Sequence, residues 1–342
     1  MNYDIETIDL NSTYEYKLVE NFLSKFNLKY EDVDYTIVVK DGKNIIATCS
    51  KLGKVLKCFA IDEYYQGEGI SNILVSKITN KLFEEDVYHN FIFTKPENTY
   101  LFKNLGYSLI IETDKVSLLE TGNKKIENTL SELIRKHNID TTKEHASLVV
   151  NCNPFTLGHR YLIEKVANEN DNVIVFLVEE DKSVFPFNSR LELVKEGVKD
   201  LRNVLVVEST EYIISSTTFP TYFLKENDDG LKEYTKIDCN IFGKYFADKL
   251  NIKSRYVGSE NTCIVTKEYN STLKEVLPKY NIDIKIVDRK QYDEQDISAS
   301  NVRRLLSQDK IEEIKDIVPS VTYNFLLSRE GKKIRNEIKR NR

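Results

Sequence analysis

The sequence predicts an α/β protein of two domains, a mixed sheet first and a parallel sheet after it. Three observations carry this expectation. The chain has 342 residues, well beyond the roughly 150 residues usual for one domain. From about residue 35 the first half reads as short strands joined by glycine turns. From 145 onward, continuous apolar strands alternate with amphipathic helices, as in a parallel sheet covered on both faces.

In the first half the strands are "YTIVVKDG", "NIIATCS" and "VLKCFAI". The turns "DG" at 41–42 and "LG" at 52–53 make them antiparallel. The loop "DEYYQGEGIS" leads into a helix with apolar residues at Ile73, Leu74, Ile78 and Leu82, a helical period. "NFIFTK" is a further strand, and "TYLFKNLGY" a short helix closed by Gly106. Residues 1–120 form this domain, and 121–144 a polar linker carrying the short helix "LSELIRKHNI".

The second domain covers 145–342. It reads as strand "SLVVN", helix 158–169, strand "NVIVFLV", helix 189–201 and strand "NVLVV", then strands "IKSRYVGS" and "DIKIVDR" and a helix from about 299. Leu191, Val194, Val198 and Leu201 give the helix 189–201 one apolar face. Ligands of such folds sit at the carboxyl ends of the strands, and "NCNPFTLGH" stands at one.

Pro154 restricts Asn153 to an extended backbone, so the chain turns before the helix. Thr156 is then an N-cap, and Gly158 and His159 fall in the first turn, where free N–H groups and the helix dipole favour a phosphate. An ordinary cap with a partly exposed histidine reads equally well from these residues alone. "DISASNVRRLL" starts another helix, with hydroxyls at Ser298 and Ser300 and a cation at Arg303. "YVGSE" ends a strand with Gly258 and Glu260.

Composition narrows the class. The chain is 41% hydrophobic and 30% charged, with 6 Pro and 12 Gly, ordinary for a globular protein. No window holds the roughly 18 apolar residues of a membrane helix, and the start is too acidic for a signal peptide. The 5 cysteines are scattered, without a C-x-x-C pair, which fits a reducing cytoplasm better than a disulfide framework or structural zinc. A net charge of −5 predicts no general affinity for nucleic acid.

Thr156-Leu157-Gly158-His159 and Ile297-Ser298-Ala299-Ser300-Asn301-Val302-Arg303 resemble the paired motifs of the Rossmann-like nucleotidyltransferase superfamily, an H/T-x-G-H segment and a late I-S-S-T-x-x-R segment. Ala299 replaces the second Ser of the common form, and Ser300 the Thr. A narrower resemblance joins "NCNPFTLGHRYLIE", "EDKSVFPFNSRLELV", "YIISSTTFPTYFLKE", "RYVGSENTCIVTKEYN" and "ISASNVRRLL". In this order they look like the citrate lyase ligase family over residues 145–307.

That resemblance implies activation of an acid in two steps. Acetate attacks the α-phosphorus of ATP to give acetyl-adenylate and diphosphate. The thiol of a phosphoribosyl-dephospho-coenzyme A on the citrate lyase acyl carrier subunit then takes the acetyl group and releases AMP. Thr156, His159 and Arg303 are the implied catalytic residues. Asn153, Phe155, Gly158, Arg190, Gly258, Glu260, Ser298 and Ser300 line the nucleotide site, with Mg²⁺ bridging phosphates. An adenylyltransferase acting on nicotinamide mononucleotide or phosphopantetheine would keep the same phosphate site and change the nucleophile.

In the first half, "YYQGEGIS" with Gly67 and Gly69, together with "PENTYLFKNLGY", resembles a GNAT acetyltransferase domain over about residues 1–115. Tyr64 stands where that pattern has Gln or Arg. The implied role is to bind the coenzyme-A-like arm through the backbone at Gly67 and Gly69.

Overall fold

The computed structural model describes residues 3–179, 183–213, 230–259, 264–293 and 295–340. These separate into two compact units, one of residues 3–129 with 230–237, the other of 130–213 and the described residues from 238 on.

Chain order begins β1 (Asp4–Thr7), α1 (Thr13–Ser24), β2 (Tyr35–Asp41), β3 (Asn44–Leu52), β4 (Val55–Ile61), α2 (Ile70–Glu84), β5 (His89–Thr94), α3 (Thr99–Asn104), β6 (Ser108–Glu112) and β7 (Ser117–Gly122). These strands form a seven-stranded sheet ordered β1-β2-β3-β4-β5-β7-β6. All its pairs are antiparallel except β4 with β5, which meet only at Val55↔Phe91 and Leu56↔Ile92. The expected hairpins β2–β3 and β3–β4 turn at Gly42 and Gly53, with φ of 61° and 53°, a conformation glycine adopts without penalty. The core joins Leu56, Ile70, Leu74, Ile78, Leu82 and Ile92. This is the mixed sheet expected of the first half.

Four elements of this unit, β1, α1, β6 and β7, went unassigned in the sequence reading. β1 is exposed along its length, so it carries no buried stripe to read. α1 is capped by Ser12, whose side chain accepts from Glu15 N, and buries Val19, Phe22 and Leu23, an i, i+3, i+4 set.

The second unit continues through α4 (Ile126–His137), β8 (His145–Val150), α5 (Leu157–Glu169), β9 (Val173–Leu177), α6 (Phe187–Gly197), β10 (Val204–Glu208), α7 (Gly230–Ile241), β11 (Ile252–Gly258), α8 (Ile264–Val276) and β12 (Asp283–Val287). After the small hairpin β13 (Gln291–Tyr292) and β14 (Gln295–Asp296) come α9 (Ala299–Ser307), α10 (Ser320–Leu327) and α11 (Arg329–Arg340). α4 and α7 each have turns in both units. The five-stranded sheet runs β10-β9-β8-β11-β12 with every pair parallel. The Rossmann-like sheet is therefore present, and its order reverses direction between β8 and β11, the crevice where such sheets bind ligands.

α6 starts after Pro186 and ends at Gly197, shorter than the expected 189–201. Val198 leaves the helix at φ −124° yet stays buried, so the apolar face runs on while the helix does not. The glycine is required by packing: a β-carbon there would lie 2.4 Å from Phe155 Cε1.

Candidate active site

β8 is the central strand, and the chain leaves its carboxyl end through Cys152 at φ 52° and a cis Asn153–Pro154 peptide. Thr156 then caps α5 with extended backbone angles, φ −121° and ψ 167°. The side chains of Thr156 and His159 close on each other. Thr156 Oγ1 accepts the His159 N–H at 3.4 Å, and the Thr156 N–H donates to His159 Nδ1 at 3.1 Å. This is a reciprocal capping box, with His in the place usually held by Glu or Gln.

The box fixes the chemistry of the imidazole. Nδ1 accepts a backbone N–H and lies 2.9 Å from Thr156 Oγ1, so it carries no proton and the threonine hydroxyl donates to it. In the neutral ring the proton therefore sits on Nε2, which is left as a donor. Burial, assisted by the charge of Arg289, lowers the His159 pKa to about 4. His159 is thus a neutral N–H donor near pH 7. Phe155 backs it, its ring stacked at 6.2 Å between centroids.

α9 brings the second motif to the same place. Ser298 caps α9 by accepting the Asn301 N–H at 3.1 Å, and its hydroxyl lies 3.1 Å from that of Ser300. Gly158 is the point of contact: a β-carbon there would stand 2.8 Å from the carbonyl oxygen of Ile297. The glycine serves this close approach of two helix starts. Leu157 N–H also donates to Ile317 O at 3.0 Å.

Arg303 ties the assembly together. Its Nη1 donates to the carbonyl of Asn153, whose Oδ1 accepts the Phe185 N–H at 3.1 Å. Burial lowers the Arg303 pKa from the ordinary guanidinium value, with no carboxylate contributing. A partly buried cation that meets a carbonyl and, among the described residues, no acid is suited to an anion.

Two expected ligands fall elsewhere. Phe155 is fully buried in the core of the unit, so it supports His159 and cannot touch a nucleotide. Arg190 is also fully buried. Its Nε donates to Phe185 O at 3.0 Å, and its Nη1 to Asn151 O, Asn151 Oδ1 and Val178 O at 2.7, 2.8 and 2.8 Å. It braces the ends of β8 and β9, which corrects the expectation of a phosphate contact. The helical pattern could not separate a buried arginine from an exposed one.

Gly258 ends β11 beside β8, and the position of a β-carbon there is open. Glu260 lies outside the described residues. Gly67 and Gly69 belong to the first unit, with φ of 86° and 81° and open space where a β-carbon would be. They are glycines for conformation, and Gly69 N-caps α2. Sequence reading missed Arg289, which follows β12. Its Nε donates to Ser259 O at 2.7 Å, and its charge acts on His159. The only signal was a basic residue just past an apolar strand, in "IVDRK".

The family profile described as citrate lyase ligase C-terminal domain matches residues 145–326. That span contains β8, the Thr156–His159 turn and the Ser298–Arg303 turn. The chain belongs to the citrate lyase ligase family. A citrate (pro-3S)-lyase ligase of Escherichia coli is 36% identical over 314 residues, 90% of this chain and 89% of that protein. One from Haemophilus influenzae is 37% identical over 319 residues, 90% and 94% of the two chains. These matches extend the family beyond the C-terminal profile into the first unit. Among solved structures, a GNAT-family acetyltransferase from Staphylococcus aureus aligns with 35% of this chain and 99% of its own, at 16% identity and a TM-score of 0.30.

Proposed function

We propose that the chain is an ATP-dependent ligase that activates acetate as acetyl-adenylate and passes the acetyl group to the thiol of the citrate lyase acyl carrier. One observation carries the reading. The starts of α5 and α9 are locked together at the switch point, with Gly158 against Ile297 and Arg303 on Asn153, inside the span matched by the family profile.

The residues then divide the work. His159 Nε2–H and the N–H groups of the first turn of α5 would hold phosphate oxygens of ATP without adding a titrating charge. Arg303 and the hydroxyls of Ser298 and Ser300 would hold the diphosphate that leaves, offsetting the charge that develops on it. Their task is positioning and charge stabilisation, which is most of what attack at phosphorus requires. No group of three or more His, Cys, Asp or Glu placed to hold a metal ion exists among the described residues. Mg²⁺ would accompany the nucleotide, with the hydroxyls of Ser298 and Ser300 as the residues that would help hold it, and would neutralise phosphate charge. The GNAT-like unit would take the coenzyme-A-like arm at Gly67 and Gly69.

The test is product analysis. Purified protein with Mg-ATP and acetate should form AMP and diphosphate when the deacetylated thiol carrier is present, and His159→Ala should abolish this. ATP consumed only with nicotinamide mononucleotide or phosphopantetheine, to give a dinucleotide-type product, would move the chain to the adenylyltransferase reading.

A further inference from the structure

One buried cation has no place in the chemistry above. Arg255, on β11 ahead of Gly258, is 1% exposed, and its Nε and Nη1 have no hydrogen-bond partner among the described residues. Its neighbour Tyr256 turns toward α5, donating to Glu169 and accepting from Asn170. Successive strand residues face opposite ways, so Arg255 lies on the other face of the sheet. There its guanidinium stacks 4.1 Å from the Phe242 ring centroid, and its Nη2 donates to Tyr269 OH at 2.7 Å. Tyr269 in turn donates to Asp238 at 2.5 Å. Phe242 opens a π-helical stretch, Phe242–Ala247, that continues α7; such local widenings recur at functional sites. Phe242 also stacks on Phe246, at 5.9 Å between centroids.

We propose that Arg255 is the recognition point for a short-chain monocarboxylate. Buried N–H groups on a cation are costly when left without acceptors, and a carboxylate supplies them. The wall of Phe242 and Phe246 suits a small apolar tail. The charge suits one negative group: Asp238, reached through Tyr269, already offsets part of the cation, so a phosphate or a tricarboxylate would bring charge that nothing here balances. Identifying this acid with the one activated rests on the ligase reading. The binding itself does not.

The experiment is a titration of carboxyl-labelled acetate into the full chain without nucleotide, read by NMR line broadening. Wild-type protein should bind saturably, and citrate should compete poorly. Arg255→Lys should weaken acetate binding about tenfold or more, the loss expected when a charge-assisted contact is misplaced. Tyr269→Phe keeps the aromatic packing and should weaken it by a smaller factor, which decides the matter if Arg255→Lys does not fold. No binding to wild type, equal competition by citrate, or unchanged affinity in either folded variant overturns the proposal. Acetate-dependent exchange of diphosphate into ATP is measured alongside. Binding without exchange would defeat the ligase reading and leave this site standing.

Discussion

Gly158 on α5 and Ile297 ahead of α9 meet so closely that a single β-carbon would come within 2.8 Å of the Ile297 carbonyl. Gly158→Ala must push the two helix starts apart, because the obstacle is backbone and cannot rotate away. Overpacking of this kind costs about 1–3 kcal/mol, and a displacement of roughly 1 Å at a reacting site can cost on the order of a hundredfold in rate. Activity should therefore fall far more than stability when AMP formation and denaturant unfolding are measured on the same protein. Equal losses would mean that the contact only holds the fold.

His159 makes two contributions that separate by substitution. His159→Asn keeps an acceptor near the Nδ1 position and loses the Nε2 donor, so it should fold like wild type and lose roughly a hundredfold in AMP formation. His159→Gln can place a donor near Nε2 while its Oε1 takes the acceptor's usual place in the capping box, so it should keep more activity with little loss of stability. The reverse ranking would remove His159 from the phosphate-binding role.

Arg303 bonds the Asn153 carbonyl, and the ligase reading adds a phosphate. Arg303→Lys keeps the charge but not the fork of donors, and the KM for ATP should rise about tenfold with little change in melting temperature. An unchanged KM would confine Arg303 to bracing the turn.

Arg190 should behave in the opposite way. Arg190→Met strips donors from the buried carbonyls of Phe185, Asn151 and Val178, and should destabilise by about 3–5 kcal/mol. The surviving folded fraction should keep an ordinary KM for ATP. A raised KM in stable protein would restore the phosphate contact that the structure argues against.

Acid should weaken the fold through its histidines. Burial lowers His89 and His159 to about 4 and lowers His145 as well, so the unfolded chain binds protons first. Their contribution is complete above the unfolded value near 6.5 and is lost as pH falls toward 4. Thermal unfolding between pH 7 and 4 should show this slope, and His159→Asn should flatten part of it. Catalysis should show no break near pH 6.5 from His159, which stays neutral there.

Much of the fold was legible because its signals are local. The hairpins at Gly42 and Gly53, the helix period in α2, and the caps at Thr156 and Ser298 are each written within a few residues. β1 escaped because a fully exposed strand has no alternation. The end of α6 escaped because its apolar face continues past Gly197 through Val198.

The candidate site divides the same way. Two helix starts with the right hydroxyls, glycine and histidine could be found from spacing, while the family resemblance was carried by whole motif segments. What the chain alone could not assign was the environment of its cations. Arg190, Arg255, Arg289 and Arg303 look alike in sequence, yet one braces strand ends, one is buried with two nitrogens that lack partners among the described residues, one acts on a histidine and one spans two turns.

The sequence by itself determined where strands, turns and helix caps form, since those depend on contacts between near neighbours along the chain. Only the tertiary structure decided that Gly158 is a meeting point with Ile297, that His159 is held as a neutral Nε2–H donor, and that Arg190 is sealed in the interior. Burial and field at a side chain are set by segments far away in sequence, and these become neighbours only when the order of strands in the sheet brings them together.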